Sequence, residues 1–210
     1  MNIITPEARL SYPSLFKPRK RADNPNQEPR YEAVLVFDAG TDLTALKRAA
    51  VEVAKARWGD DAAKMIKAGT LRMPFRTDGE EKYGPGTTFI SVWSNDKPGL
   101  VDRYAGPDGK PVPITDPAVL YAGCKVRASV RAFAYPAPGR PSTGNKGVSF
   151  GLQNLQKLGE GERLDNRVVL DAAEEFEATE KAPVPLPVAS GIVGKSATAV
   201  STDDLAELLS

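Results

Sequence analysis

Hydrophobic and polar residues alternate in several short runs along this chain, and one longer stretch repeats at helical spacing. Residues 30–37 (RYEAVLVF) read as a strand, closed by the turn signal Asp38-Ala39-Gly40. Residues 8–16 (ARLSYPSLF) read as an earlier strand, in which Pro13 cannot donate to a ladder and so marks an edge or a bulge. Thr87 to Ser94 alternate again, and Leu100 to Tyr104 offer a hairpin partner for them. Val112 to Tyr121 is broken by Pro113 and Pro117 and predicts irregular backbone. Gly123 to Tyr135 predicts the longest strand, and Val148 to Leu158 returns as another after the glycine- and proline-rich loop 136–147. The helical stretch is Leu43, Leu46, Ala50, Val53 and Ala54, with Thr41 as the expected N-cap and Asp42 in the first turn. It runs to about Gly59, and a second helical segment from Asp60 to Ala68 ends at Gly69.

The predicted fold is mainly β with one helical insertion at about 41–68. The leading candidate is an OB-fold-like five-stranded barrel, a Greek-key architecture that accommodates such an insertion; an unspecified α+β domain is the alternative. The 18 glycines and 18 prolines favour short strands joined by turns. No apolar run approaches the roughly 20 residues that cross a bilayer, and Met1 to Leu10 lacks a signal pattern, so a cytoplasmic protein without membrane contact is expected.

Charge changes the picture. The net charge of +1 looks uninformative until the chain is divided. Residues 1–170 carry 26 Lys and Arg against 19 Asp and Glu, a balance of +7. Residues 171–210 carry 2 against 8, a balance of −6. A basic body followed by an acidic tail points to a polyanionic ligand. Segment 178–202 is rich in Ala, Pro, Val, Ser, Thr and Gly without periodicity, so it is expected to be disordered. The domains expected are therefore a body, 1–170, and a flexible acidic tail, 171–210.

The strand KVRASVRAFAY, Lys125 to Tyr135, carries the clearest candidate chemistry. Alternation sends Val126, Ala128, Val130, Ala132 and Ala134 to the core face. Lys125, Arg127, Ser129, Arg131, Phe133 and Tyr135 share the other face. Cations neutralise phosphates and aromatic rings stack on bases, so this strip suits a single nucleic-acid strand; a solvated outer face is the plainer reading. Phe89, Ser91 and Trp93 form a second strip, in which Trp93 serves as a stacking platform or a core residue. Arg72, Arg76, Lys82, Tyr83, Lys97, Arg103 and Tyr104 flank that strip in sequence, and Lys146 sits in the loop before Phe150. A basic run, Lys17, Arg19, Lys20 and Arg21, wraps a strand or keeps a loop soluble. The expected DNA contacts are Arg76, Lys82, Trp93, Lys97, Tyr104, Lys125, Arg127, Arg131, Phe133, Tyr135 and Lys146. In the tail, Asp203, Asp204, Leu205, Glu207, Leu208 and Leu209 can form an amphipathic turn that docks on a partner, or the tail's charge can occupy the DNA site; a plain disordered terminus is the alternative.

Catalysis has little support. The chain has no histidine, which removes the commonest general base and metal ligand. Its one cysteine, Cys124, lies in an apolar strand and reads as a core residue. A carboxylate-only magnesium site stays open, but Asp60-Asp61 and Glu80-Glu81 read as solvated surface. No cofactor is expected. A virion or assembly protein with a β-barrel core, and less so a metal-dependent nuclease, are the rival readings.

Three blocks carry a family resemblance: ARLSYPSLF (Ala8 to Phe16), SVWSNDKPGLVD (Ser91 to Asp102) and KGVSFGLQNLQKLGEGERLD (Lys146 to Asp165). Over roughly residues 1–170 the chain resembles a tailed-phage family, formerly a domain of unknown function, now linked to single-stranded DNA binding. The resemblance implies an OB-fold body, non-enzymatic and largely sequence-independent binding of single-stranded DNA in phage replication or recombination in the infected cell, and an acidic C-terminus that meets phage or host replication proteins. Tails of that family often end in an aromatic residue, whereas this chain ends Leu208-Leu209-Ser210.

Overall fold

The computed structural model describes residues 2–20, 28–136 and 146–164; the tail and the greater part of the loop 136–147 lie outside the described residues. The strands are β1 (Ile3–Ile4), β2 (Ala8–Arg19), β3 (Arg30–Phe37), β4 (Thr88–Ser94), β5 (Gly99–Ala105), β6 (Pro111–Pro113), β7 (Lys125–Tyr135) and β8 (Gly147–Gly159). The helices are α1 (Thr44–Trp58), α2 (Asp61–Lys67) and a single turn, α3 (Glu80–Tyr83). The protein is thus mostly β with few helices, as the patterning predicts, but it has eight strands among the described residues where five were expected.

Five of the eight strands form a closed circuit of pairings. β2 pairs antiparallel with β3, β3 with β4, β4 in parallel with β8, β8 antiparallel with β7, and β7 again with β2. The strands β1, β5 and β6 extend this circuit by pairing with β7, β8 and β5.

Alternation decides which face fills the core. Leu10, Leu35, Ile90, Val92, Val126, Val130 and Phe150 point inward and are essentially without exposure. Each such side chain contributes roughly 1.5–3 kcal/mol by leaving water. Helix α1 places Leu46, Ala50 and Ala54, one turn apart, against β7 and β8. Cys124 is buried in the same core, and burial pushes its thiol up to about 11.

The structure corrects four readings. First, β5 is not a hairpin partner of β4. Val92 of β4 pairs with Phe150 and Gly99 of β5 pairs with Asn154, both in parallel. The 13-residue β8 offers one long edge, on which β4 and β5 lie in succession as a continued path. Asn154 holds the join, because its side-chain oxygen accepts the Gly99 N–H at 3.2 Å. Second, β8 and β2, not the strand ending at Tyr135, are the longest, at 13 and 12 residues against 11. Third, α1 starts at Thr44 instead of next to Thr41, and the Asp42 carboxylate accepts the Thr44 N–H at 2.9 Å. Thr41 instead closes the preceding turn by donating to the Asp38 carbonyl at 2.7 Å. Fourth, Val112 to Tyr121 is not wholly irregular, since it contains β6 and a short 3-10 turn, Pro117–Val119.

After β8 the chain folds back over Gly123. A Cβ at Gly123 would lie 1.9 Å from the Glu162 carbonyl oxygen, and its φ is 116°, so only glycine fits there. Leu164 donates its N–H to the Ala122 carbonyl at 3.0 Å and packs against Val36, Tyr83 and Phe89 on the outer side of the sheet.

Candidate nucleic-acid interface

The outer side of β4, β8 and β7 gathers the aromatic residues that the alternation predicted. Trp93 on β4 pairs with Gly151 on β8, and Gly151 pairs with Arg131 on β7. A Cβ at Gly151 would meet the Arg131 carbonyl oxygen at 3.7 Å and the Phe133 ring at 3.8 Å, both ordinary contact distances, so the Phe133 ring lies directly over this backbone. The Trp93 and Phe133 rings meet edge to face, with centroids 5.3 Å apart and planes at 86°. Both rings are half-buried, and each keeps part of its surface toward solvent. Two rings locked at right angles lose little side-chain entropy when a base stacks on one of them.

Cations surround the pair. Arg131 is exposed beside Phe133 and has no ion pair among the described residues. Arg30 places its guanidinium 4.7 Å above the Trp93 ring and donates to Glu32 at 3.1 Å. Arg19 pairs in register with Arg30, so the basic run after Phe16 begins at this end of the sheet. Lys17, Arg19 and Lys20 are exposed, while Arg21 lies outside the described residues. Tyr135, two positions beyond Phe133, is half-buried, and burial raises its phenol above the usual range. Lys146 directly precedes β8, whose first residue, Gly147, pairs with Tyr135, and its carbonyl accepts the Arg72 N–H at 3.0 Å.

The other predicted contacts are spread over the surface. Lys125 and Arg127 share the face of Arg131, but at about 3.3 Å per residue they lie some 13–20 Å along the strand from it. Lys125 pairs with Glu7 at 3.3 Å, and Arg127 donates to the Gln156 side chain at 2.8 Å. Arg76 grips the Asp78 carboxylate with two nitrogens and lies 5.1 Å from the centre of the buried Phe89 ring. That guanidinium holds the Asp78 carboxyl below the ordinary aspartate range, so much of the Arg76 charge is already answered. Lys97 is exposed in the turn between β4 and β5. Tyr104 is 60% exposed on β5, and Arg103 donates to its hydroxyl at 2.7 Å. Lys82, on α3, lies 3.8 Å from the centre of the Tyr12 ring. The structure therefore brings together Trp93, Arg131 and Phe133, with Tyr135 next along the same strand face, and leaves Arg76, Lys82, Lys97, Tyr104, Lys125, Arg127 and Lys146 elsewhere on the surface. The partner-docking residues of the tail, Asp203, Asp204, Leu205, Glu207, Leu208 and Leu209, lie outside the described residues.

Three residues escaped the sequence reading. Arg30 read only as the first residue of a strand, and Glu32 as its polar face. Their position beside Trp93 comes from the β3–β4 register, in which Glu32 faces Trp93. Gly151 lay within the predicted strand 148–158, but its place between Trp93 and Arg131 comes from the pairing of β8 with β4 and β7. Among the described residues no group of three or more Cys, Asp and Glu side chains is placed to hold a metal. Nor is any helix of these residues long and apolar enough to cross a membrane.

Three solved structures share the fold of this chain. The single-stranded DNA-binding protein of bacteriophage Enc34 superposes with a TM-score of 0.54 at 19% identity, over 83% of this chain and 90% of that one. The same phage protein in complex with ssDNA gives 0.52 at 20% identity, over 77% and 88%. The single-stranded DNA-binding protein gp2.5 encoded by bacteriophage T7 gives 0.52 at 14% identity, over 81% and 98%. These likenesses show a shared fold. No curated protein sequence matches the chain. The family model described as Enterobacter phage Enc34, ssDNA-binding protein, matches residues 1–183. The chain belongs to the Enc34 family of phage ssDNA-binding proteins.

Proposed function

We propose that this protein binds single-stranded DNA without strong sequence preference, on the outer face of β4, β8 and β7. The observation that carries the reading is the Trp93–Phe133 pair, its centroids 5.3 Å apart, flanked by the exposed Arg131. Every base has a π-face, so an aromatic platform with adjoining cations accepts any sequence. Tyr135 and Lys146 extend the platform toward the loop 136–147. Arg76, Lys82, Lys97, Tyr104, Lys125 and Arg127 supply longer-range attraction and further contacts along a longer strand.

The closed circuit of β2, β3, β4, β8 and β7 supports reading the body as an OB-type barrel, with β1, β5 and β6 as additions. In such barrels the second and third strands and the two flanking loops hold oligonucleotides. Here those strands are β3 and β4, on which Arg30 and Trp93 lie. The protein acts non-enzymatically, in phage replication or recombination in the cytoplasm of the infected cell. Its body extends to about 170, and its tail, 171–210, with a balance of −6, competes with DNA for the basic face or meets a replication protein.

The test is a titration of oligo-dT at rising salt. Neutralised phosphates release counterions, so affinity is expected to fall by at least about tenfold between 50 and 200 mM salt. Absent or salt-insensitive binding would overturn the reading.

A further inference from the structure

Between Ser11 and Ser14 the β2–β3 register slips, and Tyr12 sits in the slip with a φ of 45°. A bulky residue in the left-handed region is strained, and such strain persists where the surrounding structure enforces it. Alternation alone would aim Tyr12 inward, because Leu10 is in the core and the neighbouring Ser11 bonds Tyr83 on the outer side. The bulge instead turns the Tyr12 ring out, where it is 56% exposed. The Lys82 ammonium lies 3.8 Å from its centre. The ring borders an open groove of roughly 980 Å³, which is also lined by Arg9, Tyr121 and Arg163.

We infer that this groove is a second base-stacking subsite for single-stranded DNA, with Tyr12 as its platform and Lys82 as its cation. The inference rests on the reading of the Trp93 face as the DNA site and extends it. Ser14 pairs with Glu32, and Glu32 with Trp93, so the bulge lies about two strand spacings, roughly 10 Å, from the Trp93 strand. Glu81 and Glu162 also line the groove and offset two of the cations Arg9, Lys82 and Arg163, so the ring, more than net charge, provides the attraction.

The experiment compares wild type, Tyr12→Gly and Trp93→Ala on a series of oligo-dT strands, from the shortest that wild type binds upward. Glycine suits a φ of 45°, so Tyr12→Gly is expected to leave the Tm unchanged or raised. On long strands it is expected to lose roughly 5- to 150-fold in affinity, the value of one base stack, with little loss on the shortest. The slope of log K against log salt stays the same, because the ring carries no charge. Trp93→Ala is expected to weaken every length. If Tyr12→Gly binds long strands as wild type does, or loses equally at all lengths, or lowers the Tm, the second subsite is wrong, while the Trp93 reading stands on its own variant. If Trp93→Ala binds all lengths normally, the Trp93 reading fails.

Discussion

Arg131 and Arg48 carry the same charge, yet they are expected to differ in what they do for DNA. Arg131 is exposed at the β7 position that faces Gly151, beside the Trp93–Phe133 pair, with no ion pair among the described residues. Arg48 is exposed on α1, outside the proposed interface. Each phosphate contact on a single strand contributes about 0.7 to the salt slope of log K. Arg131→Ala is therefore expected to lower that slope by about 0.7. Relative to 1 M salt, this amounts to about a fivefold loss of affinity at 0.1 M and about eightfold at 0.05 M. Arg48→Ala removes one charge from the same body and is expected to leave the slope within error of wild type. Neither substitution breaks a buried contact, so each is expected to change stability by less than about 0.5 kcal/mol. Fluorescence titrations with oligo-dT at four or more salt concentrations read the slope directly. An unchanged slope in Arg131→Ala, or an equal fall in Arg48→Ala, would refute the assignment of a phosphate to Arg131.

Removing residues 171–210 takes the chain from +1 to +7, and the truncated body is expected to bind oligo-dT more tightly at low salt; equal affinity would show that the tail never competes. Gly123→Ala forces a side chain against the Glu162 carbonyl at a φ of 116°, and urea melts are expected to show a loss of at least about 2 kcal/mol. Cys124 is buried and its thiol is pushed up to about 11, so a thiol reagent at neutral pH is expected to label it only on unfolding; fast labelling of the native protein would contradict its core position.

Local patterning carried much of this fold, and the exceptions have physical causes. The strand from Lys125 to Tyr135 was legible because one buried face forces period-two alternation, and Val126, Ala128 and Val130 are where that argument puts them. Phe133 was legible as an outward aromatic, and Trp93 as either a stacking platform or a core residue. Their meeting was not, because it depends on β8 lying between β4 and β7. The hairpin expected for Leu100 to Tyr104 failed for a related reason: turn signals mark where a chain bends, but a long β8 edge elsewhere in the sequence decides where it pairs. Pro13 marked a bulge, but the direction in which the bulge sends Tyr12 follows from the β2–β3 register. Phe89 shows the reverse case. Its strip is outward as expected, but Tyr83 covers it at 5.5 Å, so an outward position does not guarantee an open one.

The central claim is that a base stacks on Trp93. The chain has two tryptophans, Trp58 on α1 and Trp93, so Trp58→Phe leaves Trp93 as the sole indole reporter. Titrating that variant with oligo-dT is expected to quench its emission in step with binding followed by anisotropy of a labelled strand, and high salt is expected to reverse both. Saturable, salt-sensitive binding that leaves the Trp93 emission unchanged would place the DNA on another face and contradict the account.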